Sequence, residues 1–354
     1  MKLRPETRLF LRRILLCALC FLLFCASICL SPFLAAASPA ELGQTLSGSL
    51  PPPTIAPLKA VPAFSDATET FLSDSEEPTQ KEPQESSVMP VPPPENALFV
   101  SSRDLCRYEK NSPALLIGDE TGLGINPENF LSRAYPLTLP ATAEPTVLIM
   151  HTHGTESYLP DGTDYYLPDE SFRSEAPEST VIAVGEQIAN ILRARGIGVL
   201  HDKTMYDKED FNTAYVSASK AVRAHLAEHP TSTYILDIHR DSIFTDSGSC
   251  VKPVTEIDGK QTAQLMLVVG SDTDGSHCYP WRTNFTVAVH LQQQLNDCYP
   301  TLARPINLRT WAFNQHLCTG ALLIEIGSCG NTLSEALRAA ALFADVYADV
   351  IAGA

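Results

Sequence analysis

The alternation of apolar and polar positions becomes organised only in the later part of the chain, from about residue 141. Thr146 to Met150 form a run of strand-forming residues that passes directly into the polar stretch His151, Thr152, His153, Gly154, Thr155, Glu156, the order expected when a buried strand ends in a ligand-facing loop. Val181, Ile182, Val184, Ile188, Ile191 and Leu192 then recur at helical spacing over 181–195, and Gly196 stops that helix. Residues 198–201 read as a second strand. A second helix over about 215–228 closes at His229-Pro230, and a third strand over 233–238 runs into His239-Arg240-Asp241. Strand and helix alternating in this way predict crossovers on a mainly parallel sheet flanked by helices, a three-layer α/β domain.

Downstream, Asp258-Gly259 marks a hairpin turn between Val254–Ile257 and the apolar run 265–269, whose arm is expected to join the sheet and end at Gly270. A helix over about 284–297, a loop holding Trp311 and His316, a last strand over 321–324 delivering Glu325, and a closing amphipathic helix over 333–351 complete the pattern. The polar stretch from Leu159 to Glu178 reads as a substrate-contacting flap or a plain insertion. Residues 98–140, with two short apolar stretches, form a lead-in segment packed on the domain, and 141–354 the domain itself.

The first hundred residues differ in kind. Lys2, Arg4, Arg8, Arg12 and Arg13 precede an apolar run from Ile14 to Ala37, long enough to cross a bilayer, with its basic end expected on the cytoplasmic side. Residues 1–37 are therefore expected to be a single-pass membrane anchor or signal segment that leaves the rest outside the cell membrane; Ala35-Ala36-Ala37 also resembles a signal-peptide cleavage site. Residues 38–97, rich in Pro, Ser, Thr and Glu, lack the apolar surface to offset the entropy of ordering and read as a disordered, semi-extended linker.

Charge and cysteine content narrow the chemistry. The formal net charge is −16, and residues 141–354 alone carry 14 Lys and Arg against 26 Asp and Glu. An acidic domain argues against nucleic acid as a partner. Of ten cysteines, Cys17, Cys20, Cys25 and Cys29 lie in the apolar run; Cys106, Cys250, Cys278, Cys298, Cys318 and Cys329 contain no CxxC spacing and fix no pairing.

In a parallel sheet the strand ends share one edge, so His239 is expected beside His151 and His153. Two imidazoles and a carboxylate are the usual ligands of catalytic zinc, and metal-assisted hydrolysis needs one further carboxylate to move protons. On this basis His151, Glu156 and His239 are the expected metal ligands, with His153 the alternative to His151, and Glu325 is the expected general base. Glu178 and Glu186 stand as alternative carboxylate ligands. Asp237, Arg240 and Asp241 are expected to orient an imidazole, Asp241 alternatively to pair with Arg240. His201, His225, His229, His277, His290 and His316 are assigned structural roles.

The segments VLIMHTHGTESY, ILDIHRDS, the hairpin through IDGK into LMLVVG, and NQHLCTGALLIEIGSCGNTLSEA resemble, in order, those of the stage II sporulation protein P family. That family is similar in turn to zinc-dependent N-acetylmuramoyl-L-alanine amidases, whose last motif is echoed by Glu325, Gly327 and Asn331. The resemblance implies an amidase-like fold and a membrane-anchored peptidoglycan hydrolase that uses zinc, removes stem peptides from glycan strands and acts during engulfment in sporulation. It also implies a second cross-link or glycan-cleaving activity, and stage II sporulation proteins D and M as partners. Set against it are a zinc carboxypeptidase, which would need Arg240 or Arg282 to grip a terminal carboxylate, and a cell-wall binding scaffold without metal.

Overall fold

A computed structural model describes residues 93–106, 115–277 and 279–353, all within one unit spanning Ser86–Ala354. The expected membrane segment, residues 1–37, and most of the 38–97 linker lie outside the described residues. Among the described residues no helix is long and apolar enough to cross a membrane.

In chain order the strands are β1 (Leu98–Phe99), β2 (Ser101–Arg103), β3 (Ile117–Asp119), β4 (Val147–Met150), β5 (Tyr165–Tyr166), β6 (Val199–His201), β7 (Tyr234–Asp241), β8 (Val251–Ile257), β9 (Lys260–Ala263), β10 (Leu265–Gly270), β11 (Ile306–Arg309) and β12 (Gly320–Ser328). The α-helices are α1 (Glu128–Leu131), α2 (Val181–Ala194), α3 (Ala214–Glu228), α4 (Trp281–Cys298) and α5 (Leu333–Ala352). Seven strands form the main sheet in the order β3-β11-β10-β12-β7-β4-β6. Every neighbouring pair is parallel except β10 with β12, so the mainly parallel sheet read from the sequence is the one observed.

Two apolar clusters separate the faces of this sheet. Val147 and Ile149 of β4 and Leu236 and Ile238 of β7 pack with Val181, Val184, Ile188 and Leu192 of α2, together with apolar residues of α4 and α5. Leu148 and Met150 of β4 and Ile235 of β7 pack instead with Ala218 and Val222 of α3. Successive strand residues point to opposite faces, so odd positions of β4 and even positions of β7 share the α2 face. Asp237 and His239 continue the α3 face. Fully burying one Ile or Leu in these clusters stabilises the fold by about 1.5–3 kcal/mol.

Three sequence readings need correcting in detail. The Asp258-Gly259 turn pairs β8 with β9 only; the chain then breaks at Gln264 before β10 enters the main sheet antiparallel to β12. Gln264 is what allows the break, because its buried amide bonds Asp104 Oδ1 and the Thr301 carbonyl. The lead-in segment is more than packing, since β3 is the edge strand of the main sheet beside β11 and β2 joins β8. The last strand extends to Ser328, with an irregularity between Glu325 and Ser328.

That irregularity has a local cause. Gly327 adopts φ +68, and a Cβ there would meet Asn331 Oδ1 at 2.8 Å. Asn331 accepts the Ser328 N–H at 2.9 Å and donates to the Pro253 carbonyl at 3.2 Å and to Glu335 Oε2 at 2.8 Å. Thr332 and Glu335 form a reciprocal cap that starts α5 one residue later. Gly327 and Asn331 thus shape the turn that follows Glu325.

Candidate active site

β4 ends at Met150, and residues 152–155 form turns, so the alternation of faces carries to His151 and no further. His151 keeps the odd-position face and points toward α2. Its Nδ1 lies 3.0 Å from the Ile238 carbonyl and its Nε2 2.9 Å from His201 Nε2. His201 Nδ1 in turn meets Glu186 Oε2 at 2.8 Å, and Lys203 meets the same oxygen at 2.9 Å. The contact is tight enough that a Cβ on Gly185 would come within 2.6 Å of the His151 ring. Burial, with His201 alongside, pushes the His151 imidazole down to about 3, so it is neutral. Lys203 and His201 hold Glu186 down to about 2.

The turn re-aims His153 to the opposite side. Its ring stands edge-on to His239 at 5.4 Å between centroids, stacks on Phe211 at 4.3 Å and meets Tyr215 edge-on at 5.5 Å. Glu156, at 7% exposure, reaches within 3.5 Å of His239 Nδ1 and accepts the Arg240 backbone N–H at 3.1 Å. The structure therefore brings His153, Glu156 and His239 together, whereas His151 has both ring nitrogens engaged elsewhere. Glu186 sits with His151, and Glu178 is exposed in a short turn.

Asp237 anchors the cluster from below. It accepts the Thr152 N–H at 2.8 Å and the Thr152 hydroxyl at 2.6 Å, and its Oδ1 is 2.9 Å from His239 Nε2. That last contact is short without being aligned, so the ring nitrogen has no hydrogen-bond partner. Burial opposes charge on His239, yet Asp237 and Glu156 on its two sides raise its pKa well above the usual imidazole value. Glu156 is drawn down to about 2, against the effect of its burial, by His239 and Arg240. For His153, burial and the neighbouring His239 charge lower the pKa.

Glu325 lies in register with His239 across the parallel β12 and β7. The residue is partly exposed, but its Oε2 is shielded from solvent and has no hydrogen-bond partner. Burial pushes its carboxyl up to about 8, with Asp241 and Glu156 adding to the rise and His239 and Arg304 opposing it. A carboxyl raised from its unfolded value of about 4.5 ionises readily in the unfolded chain but not in the fold, so stability is lost as pH climbs from the first value toward the second. Melting curves of chelator-treated wild type and Glu325→Gln are expected to coincide near pH 4.5 and to separate toward pH 8, with the Gln variant the more stable. Parallel curves across that window contradict the assignment.

Two further groups belong to this site and carried no sequence signal. Asp207 accepts the Thr155 N–H and hydroxyl at 3.1 and 2.6 Å and the Arg173 guanidinium at 2.6 Å, and lies 3.7 Å from His153 Nδ1. Arg173 also lies over Phe211 at 4.8 Å. These ties clamp the 159–178 stretch onto the site loop, as do the Glu156–Arg173 and Ser157–Thr180 bridges, so this stretch is fastened at its return arm. Arg240 is fully committed: its guanidinium donates to the carbonyls of Ser157, Phe172 and Asp241. Asp241 pairs at 2.9 Å with Arg304 rather than with the Arg240 side chain. His225 meets Asp202 at 3.1 Å, and His277 and His316 lie ring to ring at 3.8 Å.

As they stand, among the described residues no group of three or more His, Cys, Asp or Glu is arranged to hold a metal ion. The donor set nevertheless fits zinc in kind, with two imidazoles and a carboxylate. His153 Nδ1 and Glu325 Oε2 are buried without a hydrogen-bond partner, a rare condition outside functional sites, and His239 Nδ1 faces Glu156 at 3.5 Å.

A mainly parallel α/β sheet with histidine and carboxylate gathered just past the end of β4 and in the carboxyl-terminal halves of β7 and β12 defines the class: an α/β protein with a buried polar centre. The sequence model of the Stage II sporulation protein P (SpoIIP) family matches residues 63–348, and the chain belongs to that family. Stage II sporulation protein P of Bacillus subtilis (strain 168) is 32% identical over 215 residues, covering 58% of this chain and 50% of that protein; the match spans half the length of that relative. Among solved structures, the amidase AmiC2 of Nostoc punctiforme is 14% identical, covering 60% of this chain and 97% of its own, with a TM-score of 0.34. The CwlD amidase from Clostridioides difficile, in complex with the GerS lipoprotein, is 12% identical, covering 59% and 95%, with a TM-score of 0.35. Likeness at that level decides nothing about activity.

Proposed function

We propose that this chain is a zinc-dependent peptidoglycan hydrolase of sporulation, an N-acetylmuramoyl-L-alanine amidase that separates stem peptides from glycan strands. One observation carries the reading: His153, Glu156 and His239 meet in a buried cluster beside an unpartnered, pKa-raised Glu325. His153, Glu156 and His239 would hold the ion, His153 taking the place that strand parity denies to His151. When bound, zinc supplies Lewis-acid chemistry, polarising an amide carbonyl and easing the ionisation of water.

The remaining steps fall to the chain's own groups. Glu325 Oε2 takes a proton from the attacking water and returns it to the leaving amine; a carboxyl raised to about 8 can do both near neutral pH. Asp237 fixes the ring of His239 from its Nε2 side and leaves Nδ1 facing Glu156. Phe211 and Tyr215 hold the His153 ring in place. The positive charge that His239 carries between two carboxylates is the charge an ion there takes over.

The carboxypeptidase alternative gains no support, because Arg240 is spent on three backbone carbonyls and Arg282 lies over Trp281 at 4.5 Å. Within the same reading, residues 1–37 anchor the enzyme in the cell membrane with the catalytic part outside, and stage II sporulation proteins D and M are its partners by family resemblance. Incubating the full-length protein with intact sacculi tests the activity. Free stem peptides beside intact glycan support the amidase; release of single amino acids supports a carboxypeptidase, and no release with zinc present supports a binding scaffold.

A further inference from the structure

Behind the site, two buried cysteines face each other. Cys250 begins the approach to β8 and Cys329 follows β12, four positions after Glu325. Both are 0% exposed, and their Sγ atoms lie 3.0 Å apart across 79 positions of sequence. That is closer than two non-bonded sulfurs ordinarily approach, and about 1 Å from a disulfide bond length.

The backbones on both sides are already locked in the positions a cross-link needs. Ser328, next to Cys329, donates its hydroxyl to the Val251 carbonyl at 2.5 Å. Cys329 donates its N–H to the Asp241 carbonyl at 2.9 Å. Cys250 pairs with Phe244 across a bridge and accepts the Ser101 N–H on its carbonyl at 2.8 Å. Its own N–H donates to the Tyr166 hydroxyl at 3.0 Å. Gly330 leaves room for the pair, since a Cβ there would meet Cys250 Sγ at 3.0 Å. Joining the sulfurs therefore needs a side-chain adjustment and no rearrangement of the chain.

We propose that Cys250 and Cys329 are joined by a disulfide bond in the folded protein, made by exchange with a disulfide-bonded oxidant. The thiolate of Cys329 attacks one sulfur of the oxidant's disulfide, expelling one oxidant thiol and forming a mixed disulfide. The Cys250 thiol then gives up its proton and attacks the Cys329 sulfur, expelling the second oxidant thiol. Two hydrogens and two electrons pass from the cysteine pair to the oxidant, and one S–S bond replaces another. Attack in the opposite order, Cys250 first, gives the same bond. Because both sulfurs are sealed in the finished fold, the exchange belongs to folding, before Val100, Leu159, Tyr166 and Phe172 pack against the pair. The bond then ties the end of β12 to the start of β8.

The test is peptide mapping of the full-length protein after refolding with oxidised glutathione. The protein is unfolded in guanidinium with an alkylating agent and no reductant, then digested and weighed. The expected result is a peptide containing Cys250 joined to one containing Cys329, two hydrogens lighter than their sum, with under about one-tenth of either cysteine alkylated. Full alkylation of both cysteines overturns the proposal, and so does either cysteine recovered in another pairing. Melting gives an independent readout. Cys250→Ser, Cys329→Ser and the double variant are expected to lose the same roughly 5–10 °C. Reductant added before heating lowers the wild type alone. Equal sensitivity of wild type and double variant to reductant contradicts the bond.

Discussion

Glu325→Gln is expected to retain bound zinc and the native fold while losing cleavage of sacculi by roughly 10²–10⁴-fold. The substitution preserves the shape and one oxygen of the side chain but removes its ability to take and return a proton. Register rather than a loop sets the position of Glu325: it stands opposite His239 on adjacent parallel strands, and its buried Oε2 has no competing donor. Among the described residues the nearby carboxylates offer no substitute, since Asp241 is tied to Arg304 and Asp237 to Thr152. Both quantities are read from one preparation, zinc by elemental analysis and cleavage by release of soluble stem peptides. Hydrolysis at the wild-type rate removes Glu325 from the proton-transfer role.

His239→Ala is expected to lose zinc and cleavage together. The imidazole stands between Asp237 and Glu156, at 2.9 and 3.5 Å, and its raised pKa reflects both carboxylates. Removing it leaves two buried carboxylates without their shared cation, which destabilises a fold by about 3–5 kcal/mol in comparable buried pairs. His239→Gln keeps most of the volume and an amide to face the carboxylates, so it is expected to fold better and still to bind no zinc. Loss of the metal in both variants with a folded Gln variant separates ligation from stability. A His239→Gln protein that holds zinc at wild-type stoichiometry contradicts the assigned ligand set.

The contrast between His151 and His153 shows what a sequence can and cannot disclose about such a site. The strand run Val147–Met150 and the run before His239 were legible because buried parallel strands are continuously apolar, and their shared edge follows from parallel pairing. What alternation alone could not supply is where extended geometry stops. β4 ends at Met150, the turns at 152–155 follow, and His153 swings toward His239 while His151 stays on the α2 face against His201. The partners Asp207, Arg173, Phe211 and Tyr215 were illegible for a different reason. Three of them lie in loops or a short turn, and Tyr215 lies at the start of a helix, so no periodicity marks them; contacts with the site loop and with one another give them their place. Gln264 likewise looks like one polar residue in an apolar arm, and only its buried hydrogen bonds reveal a strand break. Glu325, by contrast, was readable as a carboxylate leaving the last strand, although that strand runs three residues beyond it.

The central claim is that the loop after β4 and the interior of β7 grip one ion through His153, Glu156 and His239. Zinc content of full-length wild type, His151→Ala and His153→Ala proteins, measured after identical zinc-replete purification and dialysis, tests it most directly. One zinc per chain is expected in the wild type and in any folded His151→Ala protein, and none in His153→Ala. Zinc retained by His153→Ala and lost from a folded His151→Ala protein would contradict it.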